Sequence, residues 1–191
     1  MNRRDALSRV ALILGGTIVG AEAFLSGCKT GDKKLGESLN LSPDDISFLD
    51  EVGDTILPTT ASSPGAKDTH IGDFMKTIVN DCYEDKDQKI FLAGMQKLDN
   101  ASKAKYNKSF LEADTNQRHD LLVALDKEQK DYMDKKKPED PTHYFRMMKE
   151  LTLWGYFTSE IGATKALRYV AIPGHYEGCV PYKKGDKAWA T

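Results

Sequence analysis

From residue 41 onward, apolar stripes with a three- and four-residue period alternate with short polar breaks. Ile46, Leu49, Val52 and Ile56 form the first stripe, the spacing that keeps side chains on one face of an α-helix. Ser42-Pro43-Asp44-Asp45 opens it with a hydroxyl cap, a proline at the first helical position and acids on the positive end of the dipole. Pro58 ends it, and residues 59–68 read as a loop of Thr, Ser, Pro and Gly. From His70, Ile71, Phe74, Met75, Ile78, Val79 and Cys82 predict a second helix. A third starts near Asp85 with Ile90, Phe91, Met95 and Leu98, followed by a weaker polar segment to Ala113. Asp114-Thr115-Asn116 caps a fourth that carries Leu121, Leu122, Leu125 and Tyr132. After the charged, proline-flanked break at residues 135–141, Thr142 caps a fifth with Tyr144, Phe145, Met148, Leu151, Thr152 and Ser159 along it. A short helix is expected over residues 162–169, with an irregular tail after Ile172-Pro173-Gly174. No segment alternates long enough to predict a strand. The expectation is an all-α fold, an antiparallel helical bundle of about five to six helices with an irregular C-terminal tail.

One stretch breaks the amphipathic rule. Residues 151–162, Leu-Thr-Leu-Trp-Gly-Tyr-Phe-Thr-Ser-Glu-Ile-Gly, are apolar and aromatic almost all round. Such a helix is either central in its own domain or shared with a partner. Gly155 within it lets another backbone approach closely. The tail from Ile172 to Tyr182 is again aromatic, and Trp, Tyr and Phe at this density suit an interface anchor. Glu160 would need a partner if buried.

The first 28 residues have a different pattern. Arg3-Arg4 precedes an apolar stretch from Val10 to Leu25 and then Leu25-Ser26-Gly27-Cys28. The stretch is interrupted by Gly15, Gly16, Gly20 and Glu22, short of the ~20 clean apolar residues a membrane span needs. A basic start, a short apolar core and a small-residue site read as an export signal. The ending resembles a bacterial lipobox, which implies cleavage before Cys28 and acylation of its thiol. The arginine pair sits where a twin-arginine signal has it, a route that carries folded proteins. A secretory signal cut at another small residue is the competing reading. The expected organisation is a signal over residues 1–27, a polar tether over 28–40 and a helical domain over 41–191. This describes an exported lipoprotein, held by its lipid to a bacterial membrane and facing the periplasm.

With Cys28 assigned to lipid, Cys82 and Cys179 remain. In an oxidising compartment they form a candidate disulfide, and two free thiols are the alternative. A net charge of −2, with 29% charged residues, gives no basic face for nucleic acid.

The chemistry-bearing residues do not assemble into a catalytic motif. His70, His119, His143 and His175 are scattered, with no pair at i, i+4 around a helical Glu as zinc hydrolases use. There is no Cys-x-x-Cys, no Gly-x-Gly-x-x-Gly after a strand and no Gly-x-Ser-x-Gly. No catalytic residue, metal site or cofactor of its own is expected.

Gly155-Tyr156-Phe157-Thr158-Ser159-Glu160-Ile161-Gly162 resembles the signature of the gluconate 2-dehydrogenase subunit 3 family. Tyr169 and Pro173-Gly174-His175-Tyr176-Glu177-Gly178-Cys179 resemble it too, as do Asp54-Thr55-Ile56-Leu57-Pro58 and Pro64-Gly65-Ala66. The likeness spans residues 42–182. It implies a non-catalytic small subunit of a membrane-associated sugar or sugar-acid dehydrogenase. The large partner would be a flavoprotein of the glucose–methanol–choline type holding FAD, often joined by a multihaem cytochrome c. The small subunit would carry the export signal and take its folded, FAD-loaded partner across the membrane. The lipobox departs from many members and would tether the complex by lipid. Trp154, Tyr156, Phe157, Glu160, His175 and Tyr176 are then the expected partner interface. A free-standing lipoprotein that binds a small ligand or sugar through its aromatic residues is the alternative.

Overall fold

The computed structural model describes residues 41–172, 174, 175 and 177–190, within a unit spanning Leu39–Thr191. Arg3, Arg4 and Cys28, with the signal and tether, lie outside the described residues, as does Tyr176. Five α-helices are present among them: α1 (Pro43–Ile56), α2 (Ile71–Cys82), α3 (Asp85–Tyr106), α4 (Thr115–Met133) and α5 (Tyr144–Thr158). A 3-10 turn, Ala66–Thr69, precedes α2, and a π-helical turn, Gly162–Ala166, follows α5. The described residues contain no strand, so the fold is all-α.

The helix starts follow the capping chemistry. Ser42 Oγ accepts from the Asp45 amide at 3.2 Å, and the Asp45 carboxylate accepts from the Ser42 amide at 2.9 Å. This reciprocal pair satisfies two amides that the first turn of α1 leaves without intrahelical partners. Asp114 and Gln117 repeat the device at α4. At the end of α2, Gln88 Nε2 donates to the carbonyls of Val79, Asn80 and Tyr83 at 3.0–3.2 Å. The two N–H donors of one side chain from α3 are thus shared among three carbonyls at that helix end.

Three local expectations need correction. Helix α5 is capped by His143, whose Nδ1 accepts from the Phe145 amide at 3.2 Å, rather than by Thr142. The imidazole, stacked on Tyr144 at 4.6 Å, takes the place of the hydroxyl. The polar segment after Leu98 is mostly helix: α3 runs on to Tyr106 and stops at Asn107, with φ 56°. Its Asp99–Lys103 pair and the Phe110 amide bonded to Asp99 hold that end. Finally, the helix foreseen over 162–169 is the shorter π turn ending at Ala166, and Ser159 stands just beyond α5 as its C-cap.

The core joins all five helices. Leu49, Val52, Ile71, Met75, Val79, Phe91, Leu98 and Met148 are fully buried. So is Phe110, from the α3–α4 connection, which packs on Phe48 with ring centroids 5.3 Å apart. Arg118 holds that connection down, donating to the carbonyls of Phe110 and Leu111 and pairing with Glu51 of α1. Helix α5 packs against each of the other four. Gly155 is the close approach on it, but side chains arrive there rather than backbone: a Cβ would sit 2.5 Å from both Ile71 Cδ1 and Phe74 Cδ1.

Candidate partner interface

Helix α5 is central to its own domain on one side and exposes apolar side chains on the other. Tyr144, Phe145, Met147, Met148, Leu151, Thr152, Gly155 and Tyr156 face the interior. The opposite stripe changes character along its length. It begins with the Arg146–Glu150 ion pair, one helical turn apart, and continues as Leu153, Trp154 and Phe157, all exposed. Trp154 is 52% and Phe157 37% exposed. Large apolar side chains at i, i+1 and i+4 on a solvent face leave part of their apolar surface in water, and so forgo part of the burial free energy that full enclosure would supply. The two rings are not loose. Trp154 meets Phe74 edge-on at 5.4 Å and Phe157 meets Tyr156 edge-on at 5.1 Å, contacts that hold both rings in place.

The expected interface set divides accordingly. Tyr156 is a correction: it is 3% exposed, and its hydroxyl donates to the Pro64 carbonyl, so it belongs to the core. The all-round apolar pattern hid the phase of the helix, and Tyr156 falls on the side of Thr152 and Gly155. Glu160 is exposed beyond the end of α5 and needs no buried partner. His175 is exposed and bonded to the Glu177 carboxylate at 2.8 Å. Leu153 joins the patch although the sequence reading did not single it out; its i, i+1, i+4 relation to Trp154 and Phe157 was the available signal. Cys82, at the end of α2, and Cys179, in the tail, are exposed and stand as unbridged thiols.

The titratable groups with displaced pKa values are explained by packing. Burial pushes Tyr144 up to about 12, with the Glu128 charge adding to it. The Lys149 hydrogen bond holds the Asp126 carboxyl down to about 2 against a desolvation cost, with help from Lys130 and Gln129. Asp54 is raised, first by burial and then by the Glu51 charge, beside a cleft of about 370 Å³ lined by Glu51, Thr55, Arg118 and His119. Among the described residues no three His, Cys, Asp or Glu side chains gather where they could hold a metal ion. No helix among them is long and apolar enough to cross a membrane.

No curated protein and no solved structure matches the chain. The family model described as gluconate 2-dehydrogenase subunit 3 matches residues 43–174, from the first residue of α1 into the tail. The chain belongs to the gluconate 2-dehydrogenase subunit 3 family, that of an accessory subunit of a dehydrogenase complex.

Proposed function

We propose that this chain is the non-catalytic small subunit of an FAD-dependent, glucose–methanol–choline-type sugar or sugar-acid dehydrogenase, which it escorts, anchors and stabilises. The observation that carries this reading is the Leu153–Trp154–Phe157 stripe on the outer side of α5. It is an apolar patch on a helix whose inner side is already satisfied, so its burial is left for another protein. Family membership supports a dehydrogenase complex as the source of that protein.

The N-terminal sequence supports the other two roles. FAD is inserted into folded protein, and Arg3-Arg4 suits a route that moves folded cargo. An unsignalled flavoprotein bound to the α5 face would cross with its escort. Acylation of Cys28 would then hold the pair at the membrane, facing the periplasm, through more than one acyl chain. Electrons would leave FAD for an acceptor outside this chain, a multihaem cytochrome c where the complex includes one.

The test is co-expression of the full chain with the flavoprotein large subunit of its own organism, followed by purification from membranes in detergent. Co-purification with stoichiometric flavin supports the reading, and a large subunit that exports and functions without this chain contradicts it.

A further inference from the structure

The tail is less irregular than its composition suggests. Its two ends are joined. The Arg168 amide donates to the Ala188 carbonyl at 2.7 Å, and the Ala190 amide donates to the Arg168 carbonyl at 2.8 Å. The Arg168 guanidinium lies 4.6 Å from the centroid of the Trp189 ring and 4.0 Å from the Asp186 carboxylate. Lys187 Nζ donates to the Lys165 carbonyl and ties this neck to the π turn after α5. Between the joined ends, the described residues form neither helix nor strand.

What the closed loop displays is unusual for a surface loop. Tyr169, Val170, Ile172, Val180 and Tyr182 are all exposed, Ile172 at 85% and Tyr182 at 77%. Among the described residues, no apolar side chain beyond Ala166 packs against the core. A loop that closes on itself and yet leaves its largest apolar side chains in water has spent ordering entropy without burying surface. That arrangement suits docking, because closure in advance lowers the entropy lost on binding.

We propose that the loop between Arg168 and Trp189 is a second docking element, with Ile172 and Tyr182 as its anchors. It would seat in an apolar cleft with an acidic rim on the flavoprotein large subunit, and so rests on the function proposed above. Two observations select that occupant. The loop follows the exposed stripe of α5 in the chain, by way of the π turn that packs on α5. Its charge is also biased: Lys183 and Lys184 are exposed and Arg168 and Lys187 sit at the neck, against Glu177 and Asp186 alone, in a chain whose net charge is −2. A membrane surface suits it less well. Its apolar residues are not gathered on the face of an amphipathic helix, the form in which a segment lies in a membrane interface.

The experiment compares the full chain with its Ile172→Asp/Tyr182→Asp variant, each co-expressed with the flavoprotein large subunit of the same organism. Affinity and hydrogen exchange over residues 177–187 are measured, along with the thermal midpoint of the chain alone. The variant is expected to keep its midpoint and to bind about thirtyfold or more weaker, the loss typical of truncated anchors. The loop amides of the unsubstituted chain are expected to exchange more slowly in the complex than free. If the unsubstituted chain binds the flavoprotein and the variant binds it equally well, the loop proposal is overturned while the subunit reading stands. If the unsubstituted chain holds no flavoprotein, both fall. Loss confined to binding of vesicles with anionic lipid, or to self-association, overturns the loop proposal in favour of a membrane or a second copy.

Discussion

The Tyr156 hydroxyl donates to the Pro64 carbonyl oxygen at 2.6 Å, joining positions 92 residues apart. The bond fastens the C-terminal turn of α5 to the loop between α1 and α2, just before Gly65 and the 3-10 turn. The facing of the aromatic run is set by the whole buried side of α5, from Tyr144 to Tyr156. With Tyr156 turned inward, Trp154 and Phe157 are left outside. Tyr156→Phe removes the donor and leaves the ring, so it is expected to cost about 1 kcal/mol of stability in urea denaturation. Because Tyr156 is buried, the same variant is expected to bind the partner normally.

Trp154 and Phe157 should show the reverse behaviour. Their edge contacts with Phe74 and Tyr156 are worth about 0.5–1.5 kcal/mol each, so Trp154→Ala/Phe157→Ala is expected to fold with a modest loss of stability. Its affinity for the large subunit is expected to fall by about thirtyfold or more, read by titration against the purified flavoprotein. A double variant that binds normally would move the interface away from α5.

Asp126 gives the domain a defined acid response. It accepts from Lys149 of α5 at 2.6 Å and pairs with Lys130 at 2.9 Å, which holds its carboxyl at about 2 against an ordinary 3.8. A carboxyl depressed in the folded state adds stability above its unfolded value and loses it as pH falls through the folded one. The contribution is therefore complete above about pH 4 and gone below about pH 2. Partial exposure to solvent reduces it to about 1–2 kcal/mol. Asp126→Asn should lower stability at neutral pH by this amount and flatten the stability profile across that window, measured by denaturant titration at several pH values.

Gly162 is fixed by crowding. A Cβ there would lie 1.8 Å from the Tyr156 carbonyl oxygen and 2.7 Å from its carbon. Backbone cannot yield as a flexible side chain does, so Gly162→Ala is expected to cost about 1–3 kcal/mol or more. The π turn joins α5 to the loop at Arg168, so the same change should weaken partner binding beyond its effect on stability. Normal stability would show that the turn relaxes freely.

Legibility in the sequence followed the locality of the physics. Ser42-Pro43 and Asp114 mark their helix starts through contacts within four residues, and both were readable. The stripe of α2 was readable because one side of it is core and the other is not. His143 was missed as a cap because imidazole rarely serves there, and Phe110 was missed because, beside an exposed Leu111, it lies in a short connection with no helical period to mark it as inward. Its burial depends on Phe48 and on Arg118, which lie far from it in sequence or reach it from another helix. The exposed stripe of α5 was half legible. Aromatic density marked the segment, while the upstream stripe of Phe145, Met148 and Thr152 carried the phase that turns Tyr156 inward and leaves Trp154 outside, a signal the all-round apolar composition masked. The closure of the tail between Arg168 and Trp189 had no local signal at all.

The central claim is that this chain works by holding a flavoprotein rather than by turning over substrate. The most direct measurement is size-exclusion chromatography of the detergent-solubilised full chain co-expressed with that large subunit, followed by flavin absorbance and dehydrogenase activity. A single peak containing both chains, with flavin and activity, and lost in Trp154→Ala/Phe157→Ala, is the expected result. Elution of this chain by itself, with the large subunit exported, flavin-loaded and active in a separate peak, would contradict the claim.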